Sequence, residues 1–217
     1  MSGQVAPAAA AAAGPTDSAR VVVLISGGGS NMAALLDAQQ DPAFGAVVAA
    51  VGADRANAGG LALAAERGVP TFVESVRDHA DRDAWDRALT EQVRRHDPRL
   101  VVSAGFLKLV GPRFLAEFGG RYINTHNTLL PAFPGMHGPR DALAYGVRIT
   151  GATVFFADAG LDSGPIVAQT AVPVLDGDDE ATLTERIKQA ERTQLVDVVG
   201  RLCRLGWSID GRRVTIG

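Results

Sequence analysis

Asn124 and His126 stand two residues apart, directly after the apolar pair Tyr122-Ile123. On an extended backbone that spacing puts both side chains on one face. The segment that follows, Pro131-Ala132-Phe133-Pro134-Gly135, can neither continue a strand nor begin a regular helix. An amide and an imidazole are thereby presented at a strand end, where an α/β sheet binds its ligands. A third group, Asp162, lies in the turn-rich stretch Asp158-Ala159-Gly160-Leu161-Asp162-Ser163-Gly164-Pro165. A loop of that kind can fold back over a cleft. Together an Asn, a His and an Asp suit acyl transfer to an amine. The amide N–H donates to a developing oxyanion. The imidazole moves a proton or, as imidazolium, stabilises that charge. The carboxylate orients the imidazole and accepts a proton from the attacking amine, so no side-chain nucleophile is needed. Each residue also has a structural alternative: a packed histidine, an asparagine that ties down its loop, an aspartate that shapes a turn.

A second candidate site is Ser26-Gly27-Gly28-Gly29-Ser30-Asn31, between an apolar run and a helical pattern. Glycines let a ligand approach the backbone, and a helix start offers free N–H groups and a favourable dipole to an anion. Ser30 is the candidate helix cap. The motif suits a phosphate monoester. It lacks the Gly-Lys-Ser/Thr of a Walker loop, and Met32 occupies the third glycine position of a dinucleotide fingerprint. A tight turn with nothing bound is the alternative.

The elements that must carry these groups alternate. Val21-Val22-Val23-Leu24-Ile25 is long enough for a buried parallel strand. Helical and strand patterns then follow in turn: strands at 46–51, 71–73 and 100–104, helices at 32–36, 57–67 and 83–95. This rhythm predicts an α/β fold, a parallel sheet with helices on both faces. Later segments predict a helix at 112–117, a strand at 122–124, a helix at 138–145, strands at 149–157 and 166–172, and a long helix at 180–204. A small hairpin is expected around Asp210-Gly211. The second half is expected to carry a mixed sheet. No internal repeat or linker divides the chain.

Composition narrows the function. The chain has 217 residues, 47% apolar, with a net charge of -3. No basic patch is concentrated in it, so neither nucleic acid nor a membrane surface is expected as a partner. With one cysteine, Cys203, no internal disulfide or cysteine-rich metal site can form. The four histidines lack metal-ligand spacing, and no metal is expected. Residues 1–19 are Ala/Pro-rich, without the basic start and strongly apolar core of a secretory signal, and are expected to be a disordered tail on a cytoplasmic protein.

Five ordered motifs carry a resemblance. They are Ser26 to Asn31, Val102-Ser-Ala-Gly-Phe-Leu-Lys-Leu109, Asn124-Thr-His126, Leu129-Leu-Pro-Ala-Phe-Pro-Gly135, and Gly151 through Pro165. Over roughly residues 20–217 the chain resembles the phosphoribosylglycinamide formyltransferase family of purine biosynthesis. The resemblance implies a single formyltransferase domain of Rossmann-like α/β/α layers with a mostly parallel sheet. Its N-terminal half would bind phosphate, and its C-terminal half would be catalytic and bind folate. It implies 10-formyltetrahydrofolate as co-substrate, small-molecule substrates, and a monomer or homodimer. By resemblance Asn124, His126 and Asp162 are catalytic, and Gly29, Ser30, Asn31 and Glu191 meet the ribonucleotide. Arg82, Leu107, Lys108, Leu109, Val110, Asn124, Asp158 and Asp162 meet the folate, and His137 is a candidate orienting residue. Two positions depart from the family pattern. Lys108 replaces a common arginine, keeping charge without the planar fork. Asn127 replaces the proline after the histidine, which leads one to expect a less rigid His126. The alternatives are a formyltetrahydrofolate deformylase, expected to carry a regulatory domain ahead of this one; a methionyl-tRNA formyltransferase, expected to add an RNA-binding domain; and a catalytically silent nucleotide- or folate-binding relative.

Overall fold

A computed structural model describes residues 18–217. The first strand, β1 (Ala19–Ile25), carries most of its side chains into two separate cores. Val21, Val23 and Ile25 enter one, and Val22 and Leu24 the other, as strand alternation requires. A strand buried on both faces belongs at the centre of a sheet. β1 pairs in parallel with β2 (Ala46–Ala53) on one side. Beyond β2 lies β3 (Thr71–Val73), also parallel. On its other side β1 pairs in parallel with β4 (Leu100–Ser103), which is followed by β5 (Tyr122–His126). Two antiparallel strands, β6 (Ile149–Phe156) and β7 (Ile166–Pro173), complete the order β3-β2-β1-β4-β5-β6-β7.

Helices cover both faces. α1 (Ser30–Ala38) and α2 (Gly59–Glu66) contribute Met32, Leu35, Leu36 and Ala64 to the first core. α3 (Arg82–Arg94) and α4 (Pro112–Phe118) fill the second with Trp85, Leu89, Val93, Phe114 and Phe118. α5 (Gly138–Tyr145) precedes β6. α6 (Glu180–Leu205) returns along the first face, bringing Leu195, Val198, Val199, Leu202 and Cys203 into its core. Gln194 of α6, with its amide oriented to satisfy both ends, accepts from the backbone N–H groups of Gln169 and Thr170. That contact occupies donors on the last strand of the sheet, where an open edge invites pairing. A two-stranded hairpin, β8 (Trp207–Asp210) and β9 (Arg213–Ile216), ends the chain. Trp207 donates from Nε1 to Gly120 O (2.8 Å) and stacks on Phe156.

Several expectations shift. β5 runs through His126 instead of ending at 124, because residues 124–126 pair with 153–155 of β6. Ser30 is not the cap of α1. Gly29 holds that place with φ 74°, and no side chain caps the helix. α2 begins at Gly59, two residues later than expected. α3 begins at Arg82, because Asp81 caps it by accepting from Ala84 N (2.7 Å). Most of the expected tail lies outside the described residues, and Ala19 already belongs to β1. Among the described residues no helix is long and apolar enough to cross a membrane.

One buried carboxylate joins the two helices of the second face. Asp86, on α3, accepts from Gly111 N and Arg113 N at the start of α4, both at 2.8 Å. A Cβ at position 111 would lie 2.4 Å from that carboxylate, so the approach needs glycine. Asp86→Ala should therefore lower unfolding free energy by about 2–4 kcal/mol, since it strands buried donors as well as removing a cap. A urea midpoint that barely moves would contradict this role.

Candidate active site

The chain runs outward from β1 to β3, then restarts at β4 on the other side of β1. The loops after β1 and β4 diverge at that switch and leave a crevice, the usual ligand position in such sheets. They are also stitched together. Ser26 N donates to Gly105 O (3.1 Å), and Leu107 N donates to Ser26 Oγ (2.8 Å). Beside the crevice Gly27 and Gly28 expose bare backbone. Gly29 takes a left-handed conformation, and a Cβ there would lie 3.2 Å from Gly60 Cα. Asn31 is buried and donates from Nδ2 to Glu191 Oε1 on α6 (2.7 Å). The residues expected to meet a ribonucleotide, Gly29, Ser30, Asn31 and Glu191, are thus neighbours across 160 positions of sequence. Sequence reasoning passed over Lys188. It precedes Glu191 by three residues, which puts both on one side of the helix. It is exposed, and no carboxylate pairs with it among the described residues. That helical spacing was the signal available.

His126 is held at both ring nitrogens. Nε2 lies 2.9 Å from Phe133 O, and Nδ1 lies 3.5 Å from Asp162 Oδ2. Carbonyl oxygen only accepts, so the proton of that bond sits on Nε2. Both neighbours are acceptors, one at hydrogen-bond distance and one beyond it. Asp162 Oδ2 also accepts from Gly135 N (2.8 Å). Both side chains are nearly enclosed, 7% exposed for His126 and 10% for Asp162, which strengthens their electrostatic interaction relative to water. Asn124 shares a strand face with His126. It is half-buried, and its amide has no protein hydrogen bond among the described residues. The candidate groups are thus an enclosed His126–Asp162 pair and an amide two residues along the same strand face.

The loop behind His126 is fastened by threonines. Thr153, fully buried, donates to Thr128 O (2.7 Å) and accepts from Leu130 N and from Gln169 Nε2 (both 3.1 Å). Gln169 also donates to Leu130 O (2.8 Å), and Thr128 Oγ1 donates to Ala132 O (2.7 Å). These bonds, with that from Thr128 Oγ1 to Phe133 O (3.3 Å), fasten the turn whose Phe133 carbonyl meets the ring. Asn127 packs at the start of α5, where a Cβ on Gly138 would lie 2.8 Å from its Oδ1.

The residues expected to meet folate divide into two kinds. Leu107 and Leu109 expose large apolar side chains beside the crevice, as do Met136 and Leu161 on the neighbouring loops. Exposed apolar side chains of this kind are suited to an apolar ligand surface. Arg82 and Lys108 instead hold the loop that carries those leucines. Arg82 donates to Leu109 O and lies over the Trp85 ring. Lys108 Nζ pairs with Asp54 Oδ2 at 3.1 Å. Val110 packs against the second core. Asp158 Oδ1 is occupied within its own loop by Gly160 N and Ser163 Oγ. His137 is the exposed residue before α5 and makes no cap bond. Asp54 had no signal in the sequence, yet its carboxylate gathers Arg55, Lys108 and Ser26. Burial pushes its pKa up, but hydrogen bonds from Arg55, Ser26 and Lys108 outweigh that and hold it below the ordinary 3.8.

A family model described as formyl transferase matches residues 19–199. The chain is 55% identical over 186 residues to a phosphoribosylglycinamide formyltransferase of Mycobacterium tuberculosis (strain ATCC 25618 / H37Rv), covering 86% of each. It is 37% identical over 182 residues to that of Escherichia coli (strain K12), covering 84% of this chain and 83% of the relative. Among solved structures it is similar to glycinamide ribonucleotide transformylase 1 from Symbiobacterium toebii. There the TM-score is 0.88 at 40% identity, with 91% of this chain and 93% of the other covered.

Asp54 gives the site a pH signature. A carboxylate with a depressed folded pKa stabilises fully above its unfolded value and loses that contribution as pH falls through the folded one. Below about 3.8 the parent should lose stability more steeply than Asp54→Asn in urea melts taken at successive pH values. Parallel acid limbs would remove Asp54 from the account.

Proposed function

The chain belongs to the formyl transferase family, and from that premise we propose that it moves the formyl group of 10-formyltetrahydrofolate to the amine of N1-(5-phosphoribosyl)glycinamide, in the cytoplasm. The observation that carries this reading is the enclosed His126–Asp162 pair, with Asn124 on the same strand face as His126. The alternatives considered from sequence, a deformylase or a silent binder, gain no support from the relatives above.

In this reading the phosphate sits on the bare backbone of Gly29 and Ser30 at the start of α1, where N–H groups and the helix dipole favour an anion. Lys188 supplies a positive charge to the same anion. Asn31 and Glu191, already paired, read the ribose hydroxyls. The folate ring system lies over Leu107 and Leu109 and meets backbone groups of residues 107–110. Its acidic tail lies toward Arg82 and Lys108.

The glycinamide amine attacks the formyl carbon, forming the new C–N bond and a tetrahedral oxyanion. Asn124 donates to that oxygen, and the enclosed imidazolium of His126 stabilises it electrostatically. Asp162 keeps His126 charged and takes the amine proton, directly or through water, on the oxygen not engaged by Gly135. Collapse breaks the bond to N10 of the folate, which takes up the proton relayed from Asp162 and leaves as tetrahydrofolate.

A coupled assay tests this. Formyl transfer should require the ribonucleotide, and formate release without it would favour hydrolysis. His126→Ala should lower kcat about 10²–10⁴-fold and Asn124→Ala about 10²–10³-fold, with little change in KM for the ribonucleotide. Lys188→Ala should do the reverse, raising that KM about tenfold while kcat stays close to the parent's. A parent-like rate in His126→Ala would overturn the assignment.

A further inference from the structure

Asp162 reaches His126 from the far end of its hairpin. β6 runs antiparallel to β5, so its last residue, Phe156, pairs with Ile123, whereas His126 pairs with Thr153. The loop after β6 therefore leaves the sheet three residues, roughly 10 Å, away from His126. Asp162 takes a left-handed conformation in that loop, with φ 50°. Aspartate tolerates such a backbone better than most residues, but still at a cost that its surroundings must offset.

Part of that restraint is internal. Asp158 Oδ1 accepts from Gly160 N (3.0 Å) and from Ser163 Oγ (2.8 Å). Gly164 is pressed onto β6, where a Cβ would lie 1.7 Å from Phe156 O. The remaining restraint comes from the C-terminal hairpin. Arg212 donates from Nη1 to Ser163 O at 2.8 Å and from Nη2 to Gly164 O at 3.4 Å. It stands in the turn between β8 and β9, whose base is anchored by the Trp207 bond to Gly120 and by stacking on Phe156. Arg212 lies beyond the residues matched by the family model. It is exposed, and no carboxylate pairs with it among the described residues.

We propose that Arg212 is a positioning residue for formyl transfer: by gripping the two carbonyls that follow Asp162, it holds the turn that aims the Asp162 carboxylate at His126. The inference rests on reading Asp162 as the proton acceptor. A planar guanidinium spans two carbonyls with donors in fixed directions, whereas lysine offers a single point charge. Because the side chain is exposed, its loss opens no cavity.

The test is a kinetic cycle on the full-length enzyme, with Arg212→Ala and Arg212→Lys made in the parent and in Asp162→Asn. Arg212→Ala should lower kcat about 5–20-fold with KM for the ribonucleotide and Tm unchanged, and Arg212→Lys should recover part of the loss. In Asp162→Asn the same change should cost less than about twofold, because residues acting through one group are not additive. Amide exchange over residues 158–165 should quicken in Arg212→Ala. A parent-like kcat in Arg212→Ala beside a slow Asp162→Asn overturns this inference alone. So does a full additional loss in the Asp162→Asn background, or unchanged exchange. A parent-like Asp162→Asn overturns the role of Asp162 and this inference with it.

Discussion

Strand β1 has no solvent face, and the rest of the structure is arranged around that constraint. Its side chains must be covered on both sides, so α1, α2 and α6 pack on one face and α3 and α4 on the other. Its edges must both be paired, and the chain pairs them at different times, first with β2 and later with β4. That change of side is what separates the loops and opens the crevice. A central strand with one solvated face would need only one of these layers.

Around the crevice, stability and chemistry share the same bonds. Ser26 opens the glycine turn, yet its hydroxyl also accepts from Leu107 in the opposite loop. Asp54 is nearly inaccessible, and its charge ties Lys108 to the end of β2. Glu191 approaches Asn31 from a helix near the other end of the chain. Buried polar and charged groups are costly unless they find hydrogen-bond or ion-pair partners, and each of these groups finds one in a distant part of the chain. The loops after β1 and β4 are therefore mechanically joined.

The legibility of the sequence follows the range of the interactions. Periodicity and glycine punctuation mark β1, α3, α6 and the terminal hairpin because those signals are local. The spacing of Asn124 and His126 is local too, and parity on the strand suffices to put them on one face. The extension of β5 to His126 was not legible, since it depends on β6 arriving antiparallel. Ser30 reads as a cap by residue type, but the φ of Gly29 decides the cap. Asp54 and Arg212 carry no motif at all, and the motif that contains Thr153 does not show what its hydroxyl meets. Their partners are backbone carbonyls, amide groups or distant charges that only the folded chain brings near.

Thr153 illustrates what shape alone misses. Valine has nearly the same outline, and a core judged by volume would accept either. The hydroxyl, however, donates once and accepts twice, serving the backbone on both sides of the turn after His126 and the amide of Gln169. The identity of the residue is decided by valence, the count of donors and acceptors that must be matched, and not by steric fit. A redesign that repacked this core for density would leave the fold recognisable and unfasten the turn whose carbonyl grips the histidine.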